Sequence, residues 1–97
     1  MFTVIITPQA QDDIASVLEW YELEAPGIAA QFAGELTTLP GRVAAAPRQF
    51  PVIRKSARRA LLDRFPYFVV LRIVDMEVHI LACLHNRRDP RHWQRRG

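Results

Sequence analysis

The pattern of apolar and polar positions divides the chain into a helical first half and a strand-rich second half. Residues 2–6 are apolar and largely β-branched without clear alternation, so we expect a strand that is buried on both faces. Thr7 and Pro8 then supply an N-cap and a first-turn proline, and apolar residues recur at helical spacing from Ala10 to Tyr21. The pattern predicts a first helix over residues 8 to about 23.

A second helix is predicted after the breaking sequence at residues 25–27, and Pro47 should end it. Its apolar residues follow one another at steps of three or four and so share one face: Ile28, Phe32, Leu36, Leu39 and Val43. Pro40 interrupts this run, and a proline costs about 3 kcal/mol in a helix interior. Either a kink or a break is expected there, and the continuing apolar face favours a kink after which the helix resumes. The two helices would form an antiparallel hairpin.

The second half predicts three strands, at residues 60–65, 67–74 and 78–84. Pro66 separates the first two, and residues 75–77 are short enough for a hairpin. The later strands are almost continuously apolar, so the helical hairpin must cover one face of their sheet. The predicted fold is therefore α+β, in the order β-α-α-β-β-β. An N-terminal helical hairpin packs on a mainly antiparallel sheet, and a short C-terminal tail follows.

Length and composition are those of a small domain with its own core. The 97 residues are 49% hydrophobic, which suits one domain spanning residues 1–97 without disulfides or a metal. The single Cys83 lies in an apolar run and is expected to be a small buried side chain rather than a catalytic thiol. These features suit a cytoplasmic protein, with no signal peptide, membrane span, metal or cofactor expected.

Charge is distributed unevenly along the chain, although the net charge is only +3. Residues 1–47 carry six acidic and one basic residue, a net of −5, whereas residues 48–97 carry twelve basic and four acidic residues, a net of +8. On charge alone, a polyanionic or acidic partner for the second half and a merely solvated basic surface are equally consistent with this asymmetry. Arg72 is a separate case, because a charge within an apolar strand must reach solvent or an acidic partner.

The element order and several motifs resemble the RelE/ParE superfamily of toxins, and its ParE-like branch in particular. Residues 66–73 are similar to the central strand of that family, and residues 78–82 to its last strand. The opening of the first helix and the Trp20-Tyr21 pair also fit. The most specific likeness is the tail motif, formed by His85, Arg88, Asp89, Pro90 and Trp93.

This resemblance implies the toxin of a type II toxin–antitoxin module, held in a hetero-oligomer by a cognate antitoxin. ParE-like members inhibit DNA gyrase, whereas RelE-like members are ribosome-dependent endoribonucleases that cleave mRNA. A third possibility is a non-toxic homologue that binds an antitoxin. Growth inhibition and plasmid stabilisation are the roles implied for a toxic member. All three possibilities predict an acidic or amphipathic partner encoded beside this chain.

The catalytic set that a ribonuclease needs is incomplete. RNA cleavage requires a base, a cation for the phosphorane and an acid. The resemblance places Phe68 where RelE-like enzymes carry a phosphate-binding arginine, and Trp93, which has no titratable hydroxyl, at the terminal tyrosine position. His85, Arg87 and Arg88 remain candidate catalytic residues, and His92 can also titrate. This favours the ParE-like interpretation, in which the protein is not an enzyme.

Most candidate residues are therefore interpreted as contacts with the target or the antitoxin. A structural hydrogen-bonding role is the favoured alternative for His85, a turn is an equal alternative for Arg88-Asp89-Pro90, and packing on the sheet is favoured for Trp93. For the basic run over residues 54–59, a solvated surface is favoured over a contact with the antitoxin or a nucleic acid. The candidate contact residues are Arg54, Lys55, Arg58, Arg59, Arg87, Arg88, Arg91 and Trp93.

Overall fold

The computed structural model describes residues 1–87 as two helices on a five-stranded sheet. The elements are β1 (Thr3–Ile6), α1 (Pro8–Glu24), α2 (Pro26–Ala45), a 3-10 turn (Pro47–Gln49), β2 (Val52–Arg54), β3 (Ala57–Leu61), β4 (Tyr67–Val74) and β5 (Glu77–His85). The α+β fold is confirmed, with one strand more than predicted. Neither helix of this described part is long and apolar enough to cross a membrane.

The sheet has the strand order β1-β5-β4-β3-β2. The pairs β3–β4 and β4–β5 are antiparallel, as predicted, and β2 pairs antiparallel with β3. Only β1 is parallel to its neighbour, β5. Thr7 secures this parallel pair, because its backbone N–H and its hydroxyl both donate to the carbonyl of Ile80, at 3.0 and 2.8 Å. The Thr7 hydroxyl also accepts from the N–H of Ala10 at 3.3 Å and so caps α1.

The expectation that the first strand is buried on both faces was wrong. β1 lies at an edge of the sheet, and the exposure of its side chains alternates. Val4 and Ile6 pack against the main core, whereas Ile5 points the other way and is 38% exposed. An edge strand with helices on one side has a solvated face even when its sequence is continuously apolar.

The helical hairpin agrees closely with the prediction. α1 ends where the N–H of Ala25 bonds to the carbonyl of Tyr21 at 2.7 Å, and α2 begins at once. α2 runs through Pro40 to Ala45 without a break, so the predicted resumption after the proline is confirmed. Leu39 and Val43 are both buried, and their packing on either side of Pro40 offsets the backbone hydrogen bond that the proline removes.

The first of the three predicted strands was misplaced. β3 covers residues 57–61, and residues 62–66 form the loop to β4. Two residues of α2 hold this loop. The Glu35 carboxylate accepts the backbone N–H groups of Asp63 and Arg64, and the Arg42 guanidinium donates to the carbonyl of Leu61 at 2.8 Å.

The main core lies between the sheet and the helical hairpin, as expected. Four aromatic side chains meet at its centre: Tyr21, Phe32, Phe65 and Tyr67. The rings of Phe32 and Phe65 are 5.3 Å apart in an edge-to-face arrangement, and Phe32 is fully buried. A smaller cluster lies on the sheet face that points away from the helices, which we call the second face. Its buried members are Ala57, Phe68, Val70, Ala82 and Leu84.

Truncating the central aromatic side chain should destabilise the protein strongly. We expect Phe32→Ala to lower the free energy of unfolding by about 3–5 kcal/mol, because it removes buried area and leaves a cavity. Leu23→Ala is the matched control, since Leu23 is 76% exposed on the same hairpin and its truncation should cost less than about 0.5 kcal/mol. Urea denaturation measures both, and equal losses would contradict this description of the core.

Candidate functional site

Arg59 and Arg72 are neighbours on the second face of the sheet. Ala57 of β3 pairs with Arg72 of β4, and Arg59 pairs with Val70. Because side chains alternate along a strand, Arg59 and Arg72 lie on the same face as diagonal neighbours. The Arg59 guanidinium is 5.8 Å from the centroid of the Phe68 ring, in a cation–π arrangement. The Nε of Arg72 donates to the Ser56 hydroxyl at 3.2 Å at an exposed site, so Arg72 reaches solvent, as expected, and its hydrogen-bond partner is neutral rather than acidic.

The turn between β2 and β3 extends this basic surface. Arg54 and Lys55 are both exposed, and Lys55 occupies the turn with a φ of 48°. Ser56, the hydroxyl partner of Arg72, is the next residue in the turn. We call Arg54, Lys55, Arg59 and Arg72 the basic face. Arg72 was not among the candidate contact residues. It lies two residues after Val70 on a predicted strand, so the sequence did indicate that the two side chains share one face of the sheet.

Arg58 differs from its neighbour Arg59. Its guanidinium donates to the backbone carbonyls of Arg48 and Phe50, at 3.1 and 2.8 Å. Arg58 therefore holds the segment before β2 against β3. Arg58 thus makes an internal contact, whereas the adjacent Arg59 belongs to the basic face.

His85 lies on the helix side of the sheet, beside Tyr67. The two residues are paired between β4 and β5, and their rings are 5.1 Å apart, edge to face. The Nδ1 of His85 accepts the backbone N–H of Arg87 at 3.1 Å. These contacts support the structural role favoured for this histidine.

A pocket of about 380 Å³ opens beside His85, between α1 and the ends of β4 and β5. Side chains of both layers line it, among them Ser16, Trp20, Tyr67 and Cys83. Asp13 of α1 also lines it and accepts the backbone N–H of Cys83 at 3.0 Å. The pocket therefore combines hydroxyl, carboxylate, thiol and imidazole groups.

The acid–base properties of this pocket do not suit nucleophilic catalysis. Burial, reinforced by the nearby Asp13 carboxylate, raises the pKa of the Cys83 thiol to about 12. Burial also raises the pKa of Tyr67, with smaller contributions from Tyr21 and Cys83. A thiol that stays protonated at neutral pH is a poor nucleophile. The expectation that Cys83 is a small buried side chain is confirmed, since it is only 3% exposed.

His85 and the basic face do not converge. His85 faces the helices beside Tyr67, whereas Arg59 and Arg72 occupy the second face. Tyr67 and Arg72 are also five residues apart along β4, about 17 Å at the usual rise of a strand. A base and a phosphate-binding cation that act on one reacting group must each lie about 3 Å from it. His85 and the arginines of the basic face are too far apart to do so.

The remaining candidate residues are in or beside the tail. Arg87 is exposed just after β5. Arg88, Arg91, His92 and Trp93 lie outside the described residues. Within residues 1–87, no cluster of three His, Cys, Asp or Glu side chains could hold a metal ion.

The free energy of unfolding should decrease as the pH rises above about 9. Folding keeps the Cys83 thiol protonated up to a pKa of about 12, whereas the thiol in the unfolded chain has an ordinary pKa of 9.0. Between these values the unfolded chain binds fewer protons, so stability is lost as the pH rises. Urea denaturation from about pH 7 to about pH 11 measures the slope. Cys83→Ala should be less stable at neutral pH yet show a shallower slope, and an unchanged slope would contradict the assignment.

Comparison with known proteins agrees with this architecture. The family described as ParE toxin of type II toxin-antitoxin system, parDE, matches residues 4–90. No curated protein sequence matches the chain. A structure of the chromosomal ParDE toxin–antitoxin system from P. aeruginosa has a chain that superposes with a TM-score of 0.77 at 19% identity, covering 88% of this chain and 96% of that one.

A second similar fold occurs in the RelBE2 toxin–antitoxin complex from Mycobacterium tuberculosis. Its TM-score is 0.60 at 23% identity, covering 87% of this chain and 96% of that one. At such identities the two structures show a shared fold. The family match is stronger evidence, because it extends over nearly the whole sequence. The chain belongs to the ParE toxin family of type II toxin–antitoxin systems.

Proposed function

We propose that this protein is a cytoplasmic growth inhibitor that acts by binding DNA gyrase, and that a cognate antitoxin neutralises it. The observation that carries the proposal is the separation of His85 from the basic face. One end of the sheet holds an imidazole engaged in internal contacts, and the second face holds a cluster of cations. This arrangement suits recognition of a macromolecular surface better than bond cleavage.

The environment of Phe68 supports the same conclusion. This residue occupies the position at which the resemblance implies a phosphate-binding arginine in ribonuclease members. Its ring is only 5% exposed and lies beneath Arg59. An apolar ring there gives a phosphate no hydrogen-bond donor, so a ribonuclease would have to bind the scissile phosphate through other residues.

The basic face is the proposed contact with the target. Its cations are carried by paired strands and a tight turn, so little backbone conformational entropy is lost when they bind. Positive side chains at the rim of an interface mainly accelerate association with an acidic surface. The tail residues Arg87, Arg88, Arg91 and Trp93 are proposed to extend this contact beyond β5.

Purified protein distinguishes the gyrase proposal from the ribonuclease alternative. We expect it to inhibit gyrase-catalysed supercoiling and to leave mRNA intact in a translating extract. If mRNA is cleaved and supercoiling is unaffected, the gyrase proposal is wrong and the protein is a ribosome-dependent endoribonuclease. Induction in cells without growth arrest, together with tight antitoxin binding, would instead identify a non-toxic homologue.

Removing the two neighbouring arginines of the basic face should weaken inhibition of gyrase. We expect the double variant Arg59→Ala/Arg72→Ala to raise the concentration needed to inhibit gyrase by about tenfold, through the loss of two favourable charges. Arg48→Ala/Arg64→Ala is the matched control, because it removes two exposed arginines outside the basic face. Dose–response curves in the supercoiling assay provide the comparison. Equal losses in the two variants would show that only net charge matters.

A further inference from the structure

The pocket beside His85 has no role in the function proposed so far, although aromatic and polar groups line it from both layers. Its α1 side is a stripe at helical spacing, formed by Asp13, Ser16, Val17 and Trp20. Its sheet side is formed by Tyr67, Cys83, Leu84 and His85. Aromatic rings thus line both sides of a cavity of about 380 Å³, and its lining includes a carboxylate.

The aromatic rings of this pocket are held in place from behind. The Trp20 ring lies 5.2 Å from that of Tyr21, edge to face, and Tyr21 is buried in the main core. The Tyr67 ring lies 5.1 Å from the His85 ring and 6.5 Å from the Tyr21 ring, again edge to face. Trp20 is nevertheless 56% exposed, so its contacts within the chain cover only part of its surface. A fixed and partly exposed indole ring provides a preformed contact for a ligand.

The charge of the pocket at neutral pH is negative. Asp13 supplies a carboxylate, whereas Cys83 and Tyr67 stay protonated because burial raises the pKa of both groups. The Nδ1 of His85 accepts the N–H of Arg87 at 3.1 Å, which is the contact of a neutral imidazole with its proton on Nε2. α1 carries five acidic residues, Asp13 among them, and no lysine or arginine. A carboxylate beside neutral aromatic groups favours a cationic ligand.

A guanidinium group fits this lining better than an ammonium group. Its flat face stacks on an indole ring while its N–H donors point outward in the plane, toward a carboxylate. The backbone N–H of Cys83 donates to the Oδ2 of Asp13 at 3.0 Å and so orients that carboxylate. A carboxylate can accept about four hydrogen bonds, so the contacts that Asp13 makes within the chain are compatible with a further donor.

An apolar rim beside the pocket indicates what carries the guanidinium group. Leu23 follows Trp20 at i+3 on α1 and is 76% exposed. A small cation in the pocket would leave this leucine in water, whereas a protein segment that enters the pocket would cover it. Tryptophan and arginine are also the side chains most often found at the energetic centre of a protein interface.

We propose that this pocket receives an arginine side chain of a protein partner, and that apolar neighbours of that arginine lie on Trp20 and Leu23. The Asp13 carboxylate pairs with the guanidinium group, the indole ring of Trp20 stacks on it, and the Ser16 hydroxyl accepts a further N–H. The inference does not depend on whether the target is gyrase or the ribosome, because only α1 and the ends of β4 and β5 take part.

Nuclear magnetic resonance titration of the isolated full-length protein with a short peptide tests the proposal. The probe is acetyl-Leu-Arg-Leu-amide, observed through the indole N–H resonance of Trp20. The chain has two tryptophans, so Trp93→Phe assigns this resonance. The matched probe carries citrulline, which has nearly the shape of arginine and no charge. We expect a Kd of about 1 mM for the arginine peptide and binding at least about tenfold weaker for the citrulline peptide.

Replacing the carboxylate tests the ion pair within the pocket. Asp13→Asn removes the charge and keeps an oxygen that can accept the N–H of Cys83. We expect it to weaken binding of the arginine peptide by about tenfold and to leave the citrulline peptide unaffected. Asp12→Asn is the matched control, because Asp12 is adjacent and exposed but does not line the pocket, and its effect should stay below about twofold.

Two further variants test the stacking ring and the apolar rim. Trp20→Ala changes an exposed side chain and should weaken the arginine peptide by about fivefold, as read from the backbone N–H resonance of Cys83. Leu23→Ser should weaken the same peptide by about threefold. It should leave agmatine, a small guanidinium compound without apolar neighbours, bound as tightly as by the wild type.

The outcomes separate this inference from the proposed function, because binding is measured on the isolated protein. Equal affinity for the arginine and citrulline peptides would overturn the assignment of a cation. An unshifted Trp20 resonance at about 10 mM arginine peptide, tenfold above the expected Kd, would show that the pocket does not receive this side chain. If agmatine binds as tightly as the peptide and Leu23→Ser has no effect, the ligand is a small cation and the assignment of a protein partner is wrong.

Discussion

The parallel pairing of β1 with β5 is the constraint on which the rest of the structure depends. It places the first strand of the chain beside the last described one, so the intervening helices must cross a single face of the sheet. Thr7 links the strand pair to the first helix, because it donates hydrogen bonds to the carbonyl of Ile80 in β5 and also caps α1. The aromatic cluster around Phe32 then holds the hairpin against the sheet.

Covering one face of the sheet gives the molecule two surfaces of opposite character. The hairpin side presents acidic α1 and an apolar groove, whereas the second face and the β2–β3 turn present Arg54, Lys55, Arg59 and Arg72. The acidic first half and the basic second half of the sequence thus contribute charges of opposite sign to opposite sides of the sheet.

Local signals in the sequence predicted the elements that depend on local interactions. Helical spacing and the Thr7-Pro8 start placed α1 almost to the residue, whereas α2 begins at Pro26, inside the segment predicted to separate the helices. β2 was missed, because a three-residue edge strand has too little sequence for a periodic pattern. β3 was shifted, because Leu62 and Phe65 are apolar and buried although they belong to a loop. Burial of β1 was overestimated, since an apolar run does not reveal which strand lies at the edge.

The site was less predictable than the fold, because tertiary contacts decide the role of each basic residue. Arg58 and Arg59 are adjacent and chemically identical, yet one bonds to backbone carbonyls and the other lies over Phe68. His85 has a side chain suited to acid–base chemistry, but strand pairing places it against Tyr67 and away from the basic face. Arg72 joined the basic face through pairing with Ala57, which the sequence alone does not specify.

Hydroxyl-radical footprinting of the toxin bound to gyrase tests most directly the proposal that the basic face is the target contact. Leu61 reports on the second face, where it pairs with Phe68 and is 48% exposed, whereas Leu18 and Leu36 report on the side of the helical hairpin. We expect gyrase to protect Leu61 and to leave Leu18 and Leu36 labelled. Protection of Leu18 and Leu36 by gyrase, with Leu61 unchanged, would contradict the proposal.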